Sequence, residues 1–97
     1  MTHAIDWSSV TATEVIRAME EYDRLGADGF FEVHGYAPAT TYELLRGERS
    51  YPPKAILGTA YEFATRTRLA SPDFEGGRSG AVKILTALGF DVRPKER

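Results

Sequence analysis

The chain is 97 residues long, 42% hydrophobic and 27% charged, with a formal net charge of −2. These values describe one ordinary globular domain with a core of its own, and they exclude wholesale disorder and a second domain. With no cysteine, disulfides, thiolate metal sites and a cysteine nucleophile are excluded too, in keeping with a cytoplasmic protein. No apolar run approaches the ~20 residues of a membrane span. Met1–Asp6 has no basic segment followed by an apolar stretch, so no signal peptide is expected.

Charge is unevenly spread. Residues 1–43 hold two basic and eight acidic side chains, a balance of −6; residues 44–97 hold ten basic and six acidic, a balance of +4. A local basic surface decides binding more than net charge does, so the second half is where an anionic partner would be met.

Thr11-Ala12-Thr13-Glu14 matches a capping box, in which the threonine side chain accepts from the amide three residues on and the glutamate reaches back. Val15, Met19, Tyr22 and Leu25 then form one helical stripe, with Glu20, Glu21 and Asp23 off it. Gly26 is read as the left-handed stop of this helix. Asp28 is read as the cap of a second, short helix through Phe30, Phe31 and Val33, ending at Gly35. Tyr36–Thr40 is a loop set by Pro38. Thr41–Arg46 and Arg49–Tyr51 flank Gly47-Glu48, and glycine at the first turn position suits a type II′ hairpin.

Pro52-Pro53 ends the pairing and opens a helix expected over 53–67, since proline is tolerated in a first turn. Ser71–Gly77 is a loop. Ala81, Ile84, Leu85 and Leu88 mark a last helix that stops at Gly89, and Phe90–Arg93 alternates like a strand. The expected order is ααββααβ, an α+β domain of four helices packed on a short antiparallel hairpin and a C-terminal strand. Its boundaries are an N-terminal arm over 1–8, the domain over 9–93, and a polar tail or linker start over 94–97.

The inventory leaves little for catalysis. His3 and His34 are the two histidines, too few for a histidine-rich metal site. His34, at the end of an apolar helix, reads as packed, and Glu20 and Glu21 read as a solvated face. No serine lies in a G-x-S-x-G elbow. Gly76-Gly77-Arg78-Ser79-Gly80 lacks the pattern of a P-loop; it is either an anion-binding loop or simply the chain leading into a helix. No catalytic residue, metal ligand or cofactor is assigned.

A binding surface remains. On the helix from Pro53, Lys54, Gly58, Tyr61, Thr65 and Arg68 share one face and Ile56, Ala60 and Phe63 the opposite one. The second set reads as core and the first as outward. Glycine in a helix interior costs about 1 kcal/mol relative to alanine, which points to close approach of another surface, inside the domain or outside it. Arg46, Arg49 and Lys54 interleave with Tyr42, Tyr51 and Tyr61. Cations among aromatic rings suit nucleic acid, with charge for phosphates and rings for bases. The alternative is a cross-strand pair of Tyr42 and Tyr51 with solvated arginines at the sheet edge.

Three segments, in order, carry a resemblance: Glu21-Tyr22-Asp23-Arg24-Leu25-Gly26; Arg49-Ser50-Tyr51-Pro52-Pro53-Lys54-Ala55-Ile56-Leu57-Gly58; and Asp73-Phe74-Glu75-Gly76-Gly77 leading to Leu85-Thr86-Ala87-Leu88-Gly89-Phe90. Together they resemble the N-terminal head domain of ScoMcrA-like restriction endonucleases, over about residues 9–93. These are bacterial nucleases that cut modified DNA. The family often has Asp-Ser where this chain has Pro52-Pro53, and Ala-His-Gly where it has Ala60-Tyr61-Glu62. In such enzymes the head accompanies a sulfur- or methylcytosine-reading domain and an HNH catalytic domain, neither of which fits in this chain.

The resemblance therefore implies a DNA-binding reader or accessory module that performs no chemistry, with modified duplex DNA as partner and nuclease domains of the same system as a second. Candidate contacts are Tyr36, Thr41, Tyr42, Arg46, Arg49, Ser50, Tyr51, Lys54, Tyr61, Arg66, Arg68 and Arg78. Methylated cytosine is the first expectation, because Tyr36, Tyr42 and Tyr51 can build a pocket that tolerates a methyl group. Two alternatives stand beside it. One is a phosphorothioate reader, which wants an apolar patch beside cations. The other is a protein-interaction or dimerisation module working through the acidic helix Glu14–Asp23.

Overall fold

A computed structural model describes residues 5–38 and 41–95. His3, the Ala39-Thr40 part of the proline loop and the last two residues of the tail lie outside the described residues. Among those described there are three α-helices, α1 (Ala12–His34), α2 (Pro53–Thr65) and α3 (Ala81–Ala87). Three strands, β1 (Tyr42–Arg46), β2 (Arg49–Tyr51) and β3 (Asp91–Pro94), form one antiparallel sheet in the order β2-β1-β3. Short 3-10 turns cover Trp7–Ser9 and Ser71–Asp73.

The expectation of four helices is corrected at Gly26. Helical residues run from Ala12 to His34 with no connecting loop, and the chain is redirected within a single residue, Gly26, at φ 77° and ψ 164°. That conformation is essentially restricted to glycine. Asp28 is consequently an exposed residue inside the helix rather than the cap of a separate one. The kink is sharp. Tyr22 and Phe30 would stand about 12 Å apart along a straight helix, yet their rings meet edge-on at 5.3 Å. Glu21 hydrogen-bonds His34 across the same bend. His34 is buried, 4.7 Å from the Phe30 ring.

At the start of α1 Glu14 reaches back to Thr11 as the capping box requires. A single carboxylate oxygen, Glu14 Oε1, accepts from both the backbone N–H and the hydroxyl of Thr11, each at 2.7 Å. These bonds lower the pKa of Glu14.

The hairpin turns at Gly47-Glu48, with Gly47 at φ 63°. Among the described residues the one non-glycine with positive φ is Arg66, so Glu48 is not left-handed and the turn is of the II′ kind. The register sets Leu44 opposite Tyr51 on β2 and opposite Val92 on β3. Tyr42 faces Pro94 instead, so Tyr42 and Tyr51 are not a cross-strand pair.

Helix α2 is the centre of the domain. It packs against α1, α3, β1 and the first 3-10 turn, and Pro53 and every residue from Ala55 to Ala60 are buried. The expected outward face is therefore corrected: a helix covered on several sides has no bare stripe. Gly58 is buried, and a Cβ there would lie 1.9 Å from Tyr36 Oη and 2.5 Å from its Cζ. Tyr61 is half-buried, edge-on to Trp7 at 5.4 Å. Arg68 lies past the helix, which ends at Thr65 with Arg66 left-handed at φ 64°.

Two expectations follow. Gly58→Ala should destabilise the fold by about 1–3 kcal/mol, because forcing the buried Tyr36 ring aside outweighs the gain of about 1 kcal/mol in helix propensity; thermal denaturation checks this. Thr11→Ala should cost about 1 kcal/mol at neutral pH. Since the folded-state pKa of Glu14 is depressed, its contribution is present above its ordinary pKa of 4.5 and disappears as pH falls through the folded value. The difference in melting temperature between wild type and variant should therefore shrink on acidification.

Candidate nucleic-acid interface

Four segments converge on one cleft of about 470 Å³: Tyr36–Pro38 after α1, Thr41-Tyr42 at the start of β1, Pro52–Ala55 opening α2, and Gly76-Gly77 before α3. Two prolines at the start of α2 remove N–H groups that would otherwise lack partners. The N–H groups of Lys54 and Ala55 remain without an acceptor inside the helix, and no side chain caps the end.

Lys54 supplies the cation. Its stem lies against Gly76, where an added Cβ would sit 3.2 Å from Lys54 Cβ and 3.3 Å from Cδ. Its ammonium stands 5.3 Å from the centre of the Phe74 ring. Lys54 makes no ion pair among the described residues. A cation–π contact of this kind is worth only about 0.5–1 kcal/mol where water has access, so the charge stays available to a ligand.

Tyr36 forms part of the wall. It is 9% exposed, and its hydroxyl donates to the carbonyl of Leu69 at 3.0 Å. Burial first, then the charge of Glu62, pushes its phenol up to about 12. A smaller depression of about 210 Å³ adjoins the cleft and shares Pro38, Tyr42 and Pro52 with it; Ser50, Tyr51, Asp28 and Glu43 also line it. It falls below the roughly 300 Å³ at which ligand sites begin, and its lining mixes two carboxylates with Lys95.

Of the residues expected at an interface, the cleft gathers Tyr36, Thr41, Tyr42 and Lys54. Ser50 and Tyr51 lie at the neighbouring depression. Tyr51 is buried, its hydroxyl donating to Asp23 at 2.9 and 3.1 Å. Burial and this carboxylate raise its pKa. Asp23 also pairs with Arg49 at 2.9 Å. Arg46 and Arg78 are exposed and make no ion pair among the described residues.

Arg66 and Arg68 are not brought to the cleft. Arg66 is twelve residues of helix from Lys54, about 18 Å, and Arg68 donates to the carbonyl of Val33. The acidic face of α1 gives two carboxylates to the fold: Asp23 to Arg49 and Tyr51, and Glu21 to Arg24 and His34. The glycine loop before α3 spends its acceptors on that helix: Glu75 O takes Ala81 N–H at 2.8 Å, and Gly77 O takes Gly80 and Val82 N–H at 3.0 and 3.1 Å. Those amides are not offered to an anion.

The sequence reading missed Phe74 as the platform under Lys54 and Pro52 and Pro53 as the cleft's apolar rim. Nothing local in the sequence signals this contact, because Phe74 lies twenty residues beyond Lys54.

This geometry describes a small α+β domain with, among the described residues, a ligand-sized cleft bearing a cation at a helix start. The chain belongs to the family described as ScoMcrA-like, N-terminal head domain, whose family model matches residues 8–94. Among solved structures, it is similar to the Type IV phosphorothioation-dependent restriction endonuclease ScoMcrA, with 28% identity and a TM-score of 0.67. That similarity covers 92% of this chain and 14% of the endonuclease. A search of curated proteins finds no match.

Tyr36→Phe should cost about 1 kcal/mol at neutral pH through loss of the bond to Leu69. Because the folded pKa lies above the ordinary value of 10, stability attributable to the phenol is complete below pH 10 and is lost as pH rises towards about 12. Urea denaturation at several alkaline pH values should show a smaller loss in the phenylalanine variant.

Proposed function

We propose that the chain is a non-catalytic DNA-binding module of a modification-dependent restriction system. The observation that carries this reading is the cleft, where an unpaired lysine, two unpartnered helix amides and a tyrosine meet in a member of a restriction-endonuclease head-domain family. Lys54 contacts a backbone phosphate, Arg46 and Arg78 add exposed positive charge, and Tyr42 and Thr41 face the sugar or base. Arg49 and Tyr51 act indirectly, through the hairpin that Asp23 holds.

Phosphorothioate is the modification this reading favours. Replacing a phosphate oxygen by sulfur gives a larger, more polarisable atom that accepts hydrogen bonds weakly, so it suits a cation with an apolar rim. Lys54 flanked by Pro52, Pro53 and Phe74 has that chemistry, and the similar endonuclease is phosphorothioation-dependent. The methylcytosine expectation has less support, because two of the three tyrosines offered for a methyl pocket are buried with their hydroxyls bonded inside the fold.

The test is one duplex in unmodified, methylated and phosphorothioated forms, titrated at several salt concentrations. The phosphorothioated form should bind tightest. Lys54→Ala should weaken binding to all three and lower the salt slope by about one counterion. Failure of every duplex to bind at low salt removes the reading, and a preference for the methylated form restores methylcytosine as the mark.

A further inference from the structure

We propose that the cleft takes one unpaired nucleotide of a DNA strand, its base against Tyr42 and the proline rim and its phosphate at Lys54. This rests on the DNA-binding reading and adds what the cleft itself holds. Phosphate contacts along an intact duplex need no cavity, whereas this one measures about 470 Å³, within the roughly 300–1,000 Å³ typical of small-molecule sites. Its lining divides by chemistry.

Tyr42 and Pro38 line it with the buried Pro52 and Pro53, and an aromatic ring suits the face of a base of any identity. Lys54 lines it too, half-buried, its stem held on Gly76 and its ammonium without a carboxylate partner among the described residues. With the Phe74 ring beside it and no carboxylate paired to it among the described residues, that ammonium is available to an anion. A ring and an anion joined at the spacing of one cleft is the chemistry of a nucleotide. A paired base is stacked inside the duplex and hides its face, so the nucleotide that enters has left the stack. A bulged nucleotide is already unpaired and avoids that cost.

The experiment compares a perfect duplex with the same duplex carrying a single-nucleotide bulge, by fluorescence anisotropy with the whole chain. The bulged duplex should bind tighter by about fivefold or more, the low end of what stacking one base contributes. Tyr42→Leu should abolish that advantage and Tyr42→Phe should keep it, with circular dichroism confirming that both variants fold. Should Tyr42→Leu not fold, Tyr42→Met takes its place and should likewise lose the advantage. Free deoxycytidine monophosphate at millimolar concentration should compete with the bulged duplex better than inorganic phosphate does. Equal binding of the two duplexes, or an advantage that survives loss of the Tyr42 ring, overturns this inference and leaves the DNA-binding reading intact. Binding of neither duplex overturns both.

Discussion

Tyr36 occupies the space that any side chain at position 58 would need, and much of the domain is arranged around that contact. The ring lies against the bare backbone of Gly58 in the middle of α2, with Phe74 beside the same glycine. The Tyr36 hydroxyl reaches on to the carbonyl of Leu69. One side chain thus joins the exit of α1, the central helix and the chain that follows it. The wall of the cleft from Tyr36 to Pro38 stands where it does because of this wedge. The helix-propensity cost of Gly58, about 1 kcal/mol, is offset by a buried aromatic ring and a satisfied hydroxyl.

A second constraint is electrostatic. The fold uses some of the acidic groups of the N-terminal half internally. Asp23 receives Arg49 and the Tyr51 hydroxyl and so ties the hairpin to α1. Glu21 receives His34 and closes the kink at Gly26. Lys54, Arg46, Arg66 and Arg78 remain without an ion pair among the described residues.

Much of the local structure was legible in the residues themselves. The glutamate cap of α1, the glycine turn of the hairpin, the proline start of α2 and the glycine after α3 each depend on neighbours within about four positions. Gly26 was legible as a place where helical backbone is interrupted. Its consequence was not, because a separate helix and a kinked one differ only in what packs across the bend, here Tyr22 on Phe30 and Glu21 on His34. The outward face of α2 was misread for a related reason. Periodicity distinguishes faces of a helix when one of them is wet, and α2 is covered on several sides.

For the candidate site, residue type and order pointed to cations and tyrosines around the hairpin and the start of α2, and the cleft is lined in part by Tyr42 and by Pro52–Ala55 from that stretch. They also established the charge imbalance and the absence of cysteine chemistry. Which polar tips stay free was decided by the tertiary structure alone. Tyr36 bonds a carbonyl 33 residues away, Tyr51 a carboxylate 28 away and Arg49 the same carboxylate 26 away, while Lys54 finds a ring and a glycine instead of an acid. A side chain's chemistry is written in its sequence position, but its partner is whatever long-range packing brings within about 3 Å.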